Sequence, residues 1–191
     1  MHKGWLFWLL TAPLAASPFD SPDVHYQESR QYYQVTADSW PALLAAVRSR
    51  PGKGNHAWAQ TAWQVKYQLA FMSRPGECRI AAVKARVKVT FTLPRWQNIG
   101  QQSTALQNRW HGFHAHLIEH EYQHRRHVVT MVKTLRQQLL ALPAGSDCQP
   151  LKARFVVLRD QSMATRARQD QALDERDKLW QQAEMARHQD R

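Results

Sequence analysis

The stretch from 102 to 142 constrains this chain most. It contains no proline, and Leu106, Trp110, Phe113, Leu117, Val128, Met131, Val132, Leu135 and Leu139 recur at the three- and four-residue spacing of a helix face. The pattern predicts one long helix over most of that range, ended by Pro143. Upstream the period changes to two. From Ala57 to Phe71, Trp63, Val65, Tyr67, Leu69 and Phe71 fall on one side, and Val83 to Leu93 alternates in the same way before Pro94. Ser73-Arg74-Pro75-Gly76 supplies turn residues between them. The pair is predicted to be a long antiparallel hairpin with lysines and arginines on its wet face.

Smaller elements flank this frame. Gln31 to Val35 is predicted as a short strand, after an extended, proline-containing lead-in over 18–30. Asp38 or Ser39 caps a helix that starts near Pro41, puts Leu43, Leu44 and Val47 on one face, and stops before Pro51-Gly52-Lys53-Gly54. After the loop Pro143–Cys148, a strongly charged second helix runs from about Leu151 to His188. The predicted class is therefore α+β: a hairpin or small sheet packed on a long helix, followed by a C-terminal helix. The core domain is expected over 31–180, with a charged helical tail over 181–191.

A length of 191 residues suits one domain of ordinary size. The N-terminus begins Met1-His2-Lys3, continues with the apolar run Gly4 to Leu10, and reaches small residues at Ala15-Ala16, which is the pattern of a secretory signal peptide over 1–17. Its apolar run falls short of the roughly 20 residues that a membrane-spanning helix needs, which leaves a permanent anchor as the alternative. The expected location is the periplasm or the exterior. Cleavage removes only Lys3 among the charged residues and takes the net charge from +11 to +10. That charge attracts anionic partners such as acidic envelope polymers. Lys and Arg are scattered from Lys53 to Arg191 with no aromatic-interleaved stripe, so no specific nucleic-acid partner is expected. Cys78 and Cys148 are an even pair in an exported chain, which favours a disulfide over two buried reduced thiols.

The chemistry sits on the long helix, in His120-Glu121-Tyr122-Gln123-His124. Residues four apart on a helix differ by about 40° in direction and 6 Å in rise, so His120 and His124 project together and can grip one ion. Zinc (Zn2+) accepts such nitrogens at about 2.0–2.1 Å and leaves a position for water when three protein ligands are present. Glu121 then stands where a general base for that water is needed. The helix also carries His111, His114, His116 and His127, so a histidine pair four apart is expected by crowding alone, and Glu121 is the more specific signal. Arg125 and Arg126 follow His124 where a compact three-histidine motif needs a glycine, so the third ligand comes from another segment. Asp174, Glu175 and Asp177 are candidates, with His56 and His188 as outsiders.

A series of landmarks spans roughly residues 32 to 178: Ala59 to Val65, Cys78-Arg79-Ile80, Thr92-Leu93-Pro94-Arg95-Trp96, Trp110, the His120–His124 motif and Cys148. This series resembles a bacterial family of uncharacterised function whose members are described as predicted secreted zinc-dependent proteases. The resemblance implies a zincin-like α+β domain with a disulfide between Cys78 and Cys148. That family tends to end in a Tyr-Asp…Thr…His-Gly segment, where this chain reads Leu173-Asp174-Glu175-Arg176-Asp177. The aspartate matches at Asp174 and makes it the expected third ligand, whereas the histidine and glycine do not match. The function so implied is a metallopeptidase acting on peptide or envelope-protein substrates, with Glu121 catalytic, and a monomer is expected. The alternative is a catalytically weak or inactive envelope-associated binding protein on the same scaffold.

Overall fold

The computed structural model describes residues 19, 21–49 and 58–186; the predicted signal peptide at 1–17, together with His56 and His188, lies outside them. In chain order the elements are β1 (Val24–Val35), α1 (Trp40–Arg48), β2 (Gln60–Arg74), β3 (Glu77–Trp96), a 3-10 turn (Ile99–Gln101), α2 (Thr104–Leu140) and α3 (Gln149–Ala186). The predicted α+β class is the class observed. No helix among the described residues is long and apolar enough to cross a membrane.

The hairpin forms because its turn and its alternation agree. Arg74 pairs with Glu77, which leaves Pro75 and Gly76 as a two-residue turn, and Gly76 adopts φ 75°. Proline followed by a left-handed glycine is the order that a type II turn requires. Along β2 the half-buried positions are those of Trp63, Val65, Tyr67, Leu69 and Phe71, as the alternation predicts. β3 is longer than its alternating run, for two reasons. The pairing steps from Ala70↔Ala82 to Phe71↔Ile80, so a bulge at Ala81 shifts parity and lets Cys78 and Ile80 face inward together with Val83 and Ala85. At the other end, β2 stops at Gln60↔Thr92, and the nitrogen of Pro94 falls on that vacated side of β3, where it breaks no ladder.

The lead-in expected over 18–30 is corrected from Val24 onward. Residues Val24–Val35 form one strand parallel to β3, giving the sheet order β1-β3-β2. Val24 and Tyr26 are buried against the helical layer, while Glu28 to Gln34 alternate little and lie largely at the surface. Pairing with a distant strand, rather than local pattern, makes this segment extended.

One face of the sheet is covered. Val87, Val89, Phe91 and Leu93 of β3 join Phe113, Leu117, Val128 and Val132 of α2 in the main core, and Trp40, Leu43, Leu44 and Val47 of α1 complete it. At 37 residues, α2 is roughly 55 Å long and serves as the backbone of the molecule. Its N-cap Ser103 accepts a hydrogen bond from the Leu106 amide at 3.4 Å. α3 returns antiparallel to it. The first half of α3 is held by Leu151 and Leu158, which pack with Leu135, Leu139, Ile80 and Val83. In its second half the buried residues are Leu173, Asp177 and Glu184, with Trp180 and Met185 packed against the main core, so polar and apolar contacts share that stretch.

The start of α3 is tied to the sheet twice. The Cys78 amide donates to the Gly145 carbonyl at 2.7 Å and the Gly145 amide donates back at 2.8 Å. Cys78 and Cys148 lie at disulfide distance, with Cα atoms 5.2 Å apart and a sequence separation of 70. On loop entropy a bridge closing such a segment contributes about 4 kcal/mol. Replacing Cys148 with serine is expected to lower the unfolding free energy by roughly 2–4 kcal/mol in denaturant titrations. An unchanged midpoint and slope would show that the pair does not act as a staple.

Candidate metal centre

Four histidines of α2, His116, His120, His124 and His127, are spaced by four, four and three residues and occupy a sector of roughly 80°. Three aspartates of α3, Asp170, Asp174 and Asp177, are spaced by four and three and form a matching stripe. Because the helices are antiparallel, the stripes meet in order. His116 Nε2 lies 2.6 Å from Asp177 Oδ1, and His127 Nδ1 lies 2.7 Å from Asp170 Oδ1. Between them His120 Nε2 and His124 Nε2 both approach Asp174 Oδ1, at 3.2 and 3.1 Å, and stand 3.0 Å from each other.

These three atoms form a triangle that hydrogen bonding cannot satisfy. If both Nε2 atoms carry protons, both donate to the carboxylate and then face each other as two donors. If one is bare, it can accept from its protonated neighbour but meets the carboxylate oxygen as acceptor against acceptor. A cation between the three atoms satisfies every edge. Ligand atoms on a tetrahedral zinc stand roughly 3.3 Å apart, given bonds of about 2.0–2.1 Å, so the observed edges fit such an ion closely. His120, His124 and Asp174 therefore form a His/Asp group able to hold a metal ion.

The surroundings suit that role. Each imidazole turns its other nitrogen to a carboxylate: His124 Nδ1 to Asp170 Oδ1 at 3.0 Å and His120 Nδ1 toward Asp177 Oδ1 at 3.7 Å. Such partners fix ring orientation and raise ligand basicity. Asp170 is itself held by Arg166, and Gln181 donates to Asp177 Oδ2 at 2.8 Å. The two histidines are mostly shielded, whereas the Asp174 side chain is 52% exposed, which leaves the group open to solvent on the α3 side.

Glu121 lies one residue from His120 but on the stripe that faces the sheet, between Leu117 and Val128, and it is only 4% exposed. Thr61 of β2 donates to its Oε2 at 2.5 Å. Burial raises the Glu121 pKa above its ordinary 4.5, while the Thr61 hydrogen bond and the nearby His124 and His120 act the other way. The carboxylate is thus electrostatically coupled to the triad although it belongs to a different face of α2. Leucine would suit the core at this position; a buried carboxylate with one hydroxyl partner is destabilising, which makes Glu121 a candidate functional residue.

The structure brings His120, His124 and the expected third ligand Asp174 together, with Glu121 beside them. Asp177 is buried one step away against His116, and Glu175 pairs with Lys178 at 2.8 Å on the outer side of α3. Sequence reasoning missed Thr61, whose contact comes from the tertiary fold, and also Asp170. The Asp170-Asp174-Asp177 spacing did carry a signal, because it repeats the periodicity of the histidines.

Proton binding competes with metal binding here. Burial opposes charge on His124, but its hydrogen bonds to Asp170 and Asp174 and the nearby Glu121 outweigh this and raise it from 6.5 to about 10. Burial also pushes Asp174 and Asp170 upward, yet their imidazole hydrogen bonds prevail and hold both below the ordinary 3.8. In the metal-free protein the His124 contribution is complete below pH 6.5 and fades as pH climbs through about 10; the aspartate contributions are present above 3.8 and fade on acidification. Stability of that form should therefore be greatest between pH 3.8 and 6.5. A cation reverses the preference, because His124 must give up its proton. Calorimetry at pH 7 in buffers of differing ionisation heat should show about one proton released per zinc bound; zero release would contradict this electrostatic account.

The profile of a bacterial family described as "Bacterial protein of unknown function (DUF922)" matches residues 30–181, a span that includes β2, β3 and the second half of β1, the histidine stripe and the aspartate stripe. No curated protein and no solved structure matches the chain. The match covers most of the sequence, and the chain belongs to this DUF922 family.

Proposed function

We propose that the protein is an exported zinc-dependent peptidase in which His120, His124 and Asp174 hold the ion and Glu121 is the general base. The observation that supports this reading is the buried Glu121 carboxylate next to a His/Asp group able to hold a cation. Bound zinc supplies a Lewis acid that polarises a carbonyl and acidifies water toward neutrality. The protein's own residues do the rest. Glu121, its proton affinity raised by burial, accepts a proton and returns it to the leaving amine. Thr61 fixes Glu121 Oε2 and so selects its orientation. Asp170 steadies His124 at 3.0 Å, and Asp177 faces His120 Nδ1 at 3.7 Å. Export is supported by the N-terminal residues 1–17 and by a cysteine pair at disulfide distance, which suits an oxidising compartment.

Metal analysis and turnover of an unfolded protein substrate test the reading together. Wild type should bind one zinc, His120→Ala and Asp174→Ala should lose it, and Glu121→Gln should keep it while cleaving roughly 10²- to 10⁴-fold more slowly. Undiminished cleavage by Glu121→Gln, or zinc-free wild type after refolding with limiting zinc, would sink it.

A second reading, contact with anionic envelope polymers, is favoured by the uncovered face of the sheet. Lys66 pairs with Arg86, and Lys84 and Lys88 stand on either side, all exposed. The remaining outward positions from Gln60 to Ala70 of β2 and from Lys84 to Thr92 of β3 are glutamine, alanine and threonine, so no acid offsets them. Changing these four cations to glutamine should make the protein elute from a heparin column at clearly lower salt, and identical elution would remove this reading.

A further inference from the structure

Gly112 sits inside α2, where glycine is the least favourable residue after proline. It has none of the usual local reasons to be there. Gly76 is the glycine with positive φ among the described residues, and a Cβ built on Gly112 would meet nothing within 4 Å. Its missing side chain instead opens a recess of about 400 Å³ between α2 and α3, walled by Phe113, His116 and Trp180. On the side away from the triad, Arg109 and Glu184 pair at 2.6 Å.

The recess adjoins the candidate metal centre. His116 Nε2 binds the Asp177 oxygen that also faces His120 Nδ1, so recess and triad share a carboxylate. One helix turn, roughly 6 Å, separates His116 from His120, which is about two residues of an extended peptide. The wall is aromatic and well ordered: Trp180 stacks on His116 with centroids 3.6 Å apart and on Phe113 at 5.7 Å. The ion pair beyond it is internally neutralised and does not select a charged guest.

We infer that this recess is a specificity pocket that takes an aromatic side chain, from a residue within about two positions of the peptide bond held at His120, His124 and Asp174. The inference rests on the peptidase reading for its ligand. The stacked aromatic rings at the wall favour a flat ring by edge contact, and Gly112 sets how deep the ring enters. A side chain at position 112 fills the same space.

The test uses zinc-loaded Glu121→Gln protein and blocked pentapeptides Ala-Ala-X-Ala-Ala, with X as Phe, Tyr, Trp, Ala, Asp or Lys. Titration calorimetry should give affinities about tenfold or more higher for the aromatic peptides than for the alanine peptide. Gly112→Leu in the same background should abolish that preference, and Gly112→Ala should weaken it. Both should keep the zinc content of the parent and a Tm at or above it, since either residue is a better helix former than glycine. Equal affinities for all six peptides, including no measurable binding of any, would overturn the pocket, as would a preference that survives in Gly112→Leu. The two readings fail separately: an aromatic preference without turnover by the wild type counts against the peptidase alone, and turnover without a preference counts against the pocket alone.

Discussion

The meeting of a histidine stripe on α2 with an aspartate stripe on α3 is the interaction on which the rest of the structure depends. Apolar contact over this stretch comes from Leu173 and Trp180, and two of the three buried residues in the second half of α3 are charged. The alignment is therefore reinforced by pairs that close in order, from His116–Asp177 to His127–Asp170. At the centre of this ladder, two imidazoles and one carboxylate oxygen converge where hydrogen bonds leave at least one edge unfavourable. A cation bound there would turn that conflict into a point of attachment between the helices.

The remaining architecture gives this arrangement its rigidity. The sheet presents β3 to one face of α2, which keeps a helix of roughly 55 Å from bending away from its partner. The Cys78–Gly145 bridge and the Cys78–Cys148 pair anchor the start of α3, and the leucines that follow set its course. Neighbouring residues on a helix point about 100° apart, so His120 addresses α3 while Glu121 addresses β2. The site thus lies in the angle between three elements. Thr61 at the start of β2 completes it by holding the carboxylate in place.

What was legible in the sequence follows from what is local. The hairpin could be read because one of its faces is wet, so that Trp63 to Phe71 and Val83 to Leu93 alternate cleanly. β1 could not be read as a full strand, because its pairing to β3 is parallel and distant and most of its outer half faces solvent. The bulge at Ala81 concealed the first residues of β3 by reversing the alternation. On α2 the spacing of His120, Glu121 and His124 was sufficient to place the candidate site. Asp174, Glu175 and Asp177 were legible as candidates because the third ligand had to come from another segment, and the resemblance singled out Asp174. Asp170 gains its meaning only from the antiparallel pairing, since an acidic stripe on an isolated helix is ordinarily a solvated face. His116 and His127 bind the carboxylates that flank the triad, and His127 forms with His124 and Asp170 a second group able to hold a metal ion.

The central claim, that Asp174 completes a two-histidine cation site between the helices, is tested most directly by X-ray absorption at the zinc edge of the loaded protein. The account predicts a first shell of nitrogen and oxygen at about 2.0–2.1 Å, with the outer-shell signature of two imidazoles and the remaining ligands oxygen. A shell containing three or more imidazoles would draw His116 or His127 into coordination, and a shell of water with a single imidazole would show surface-bound metal. Either result would contradict the site as described.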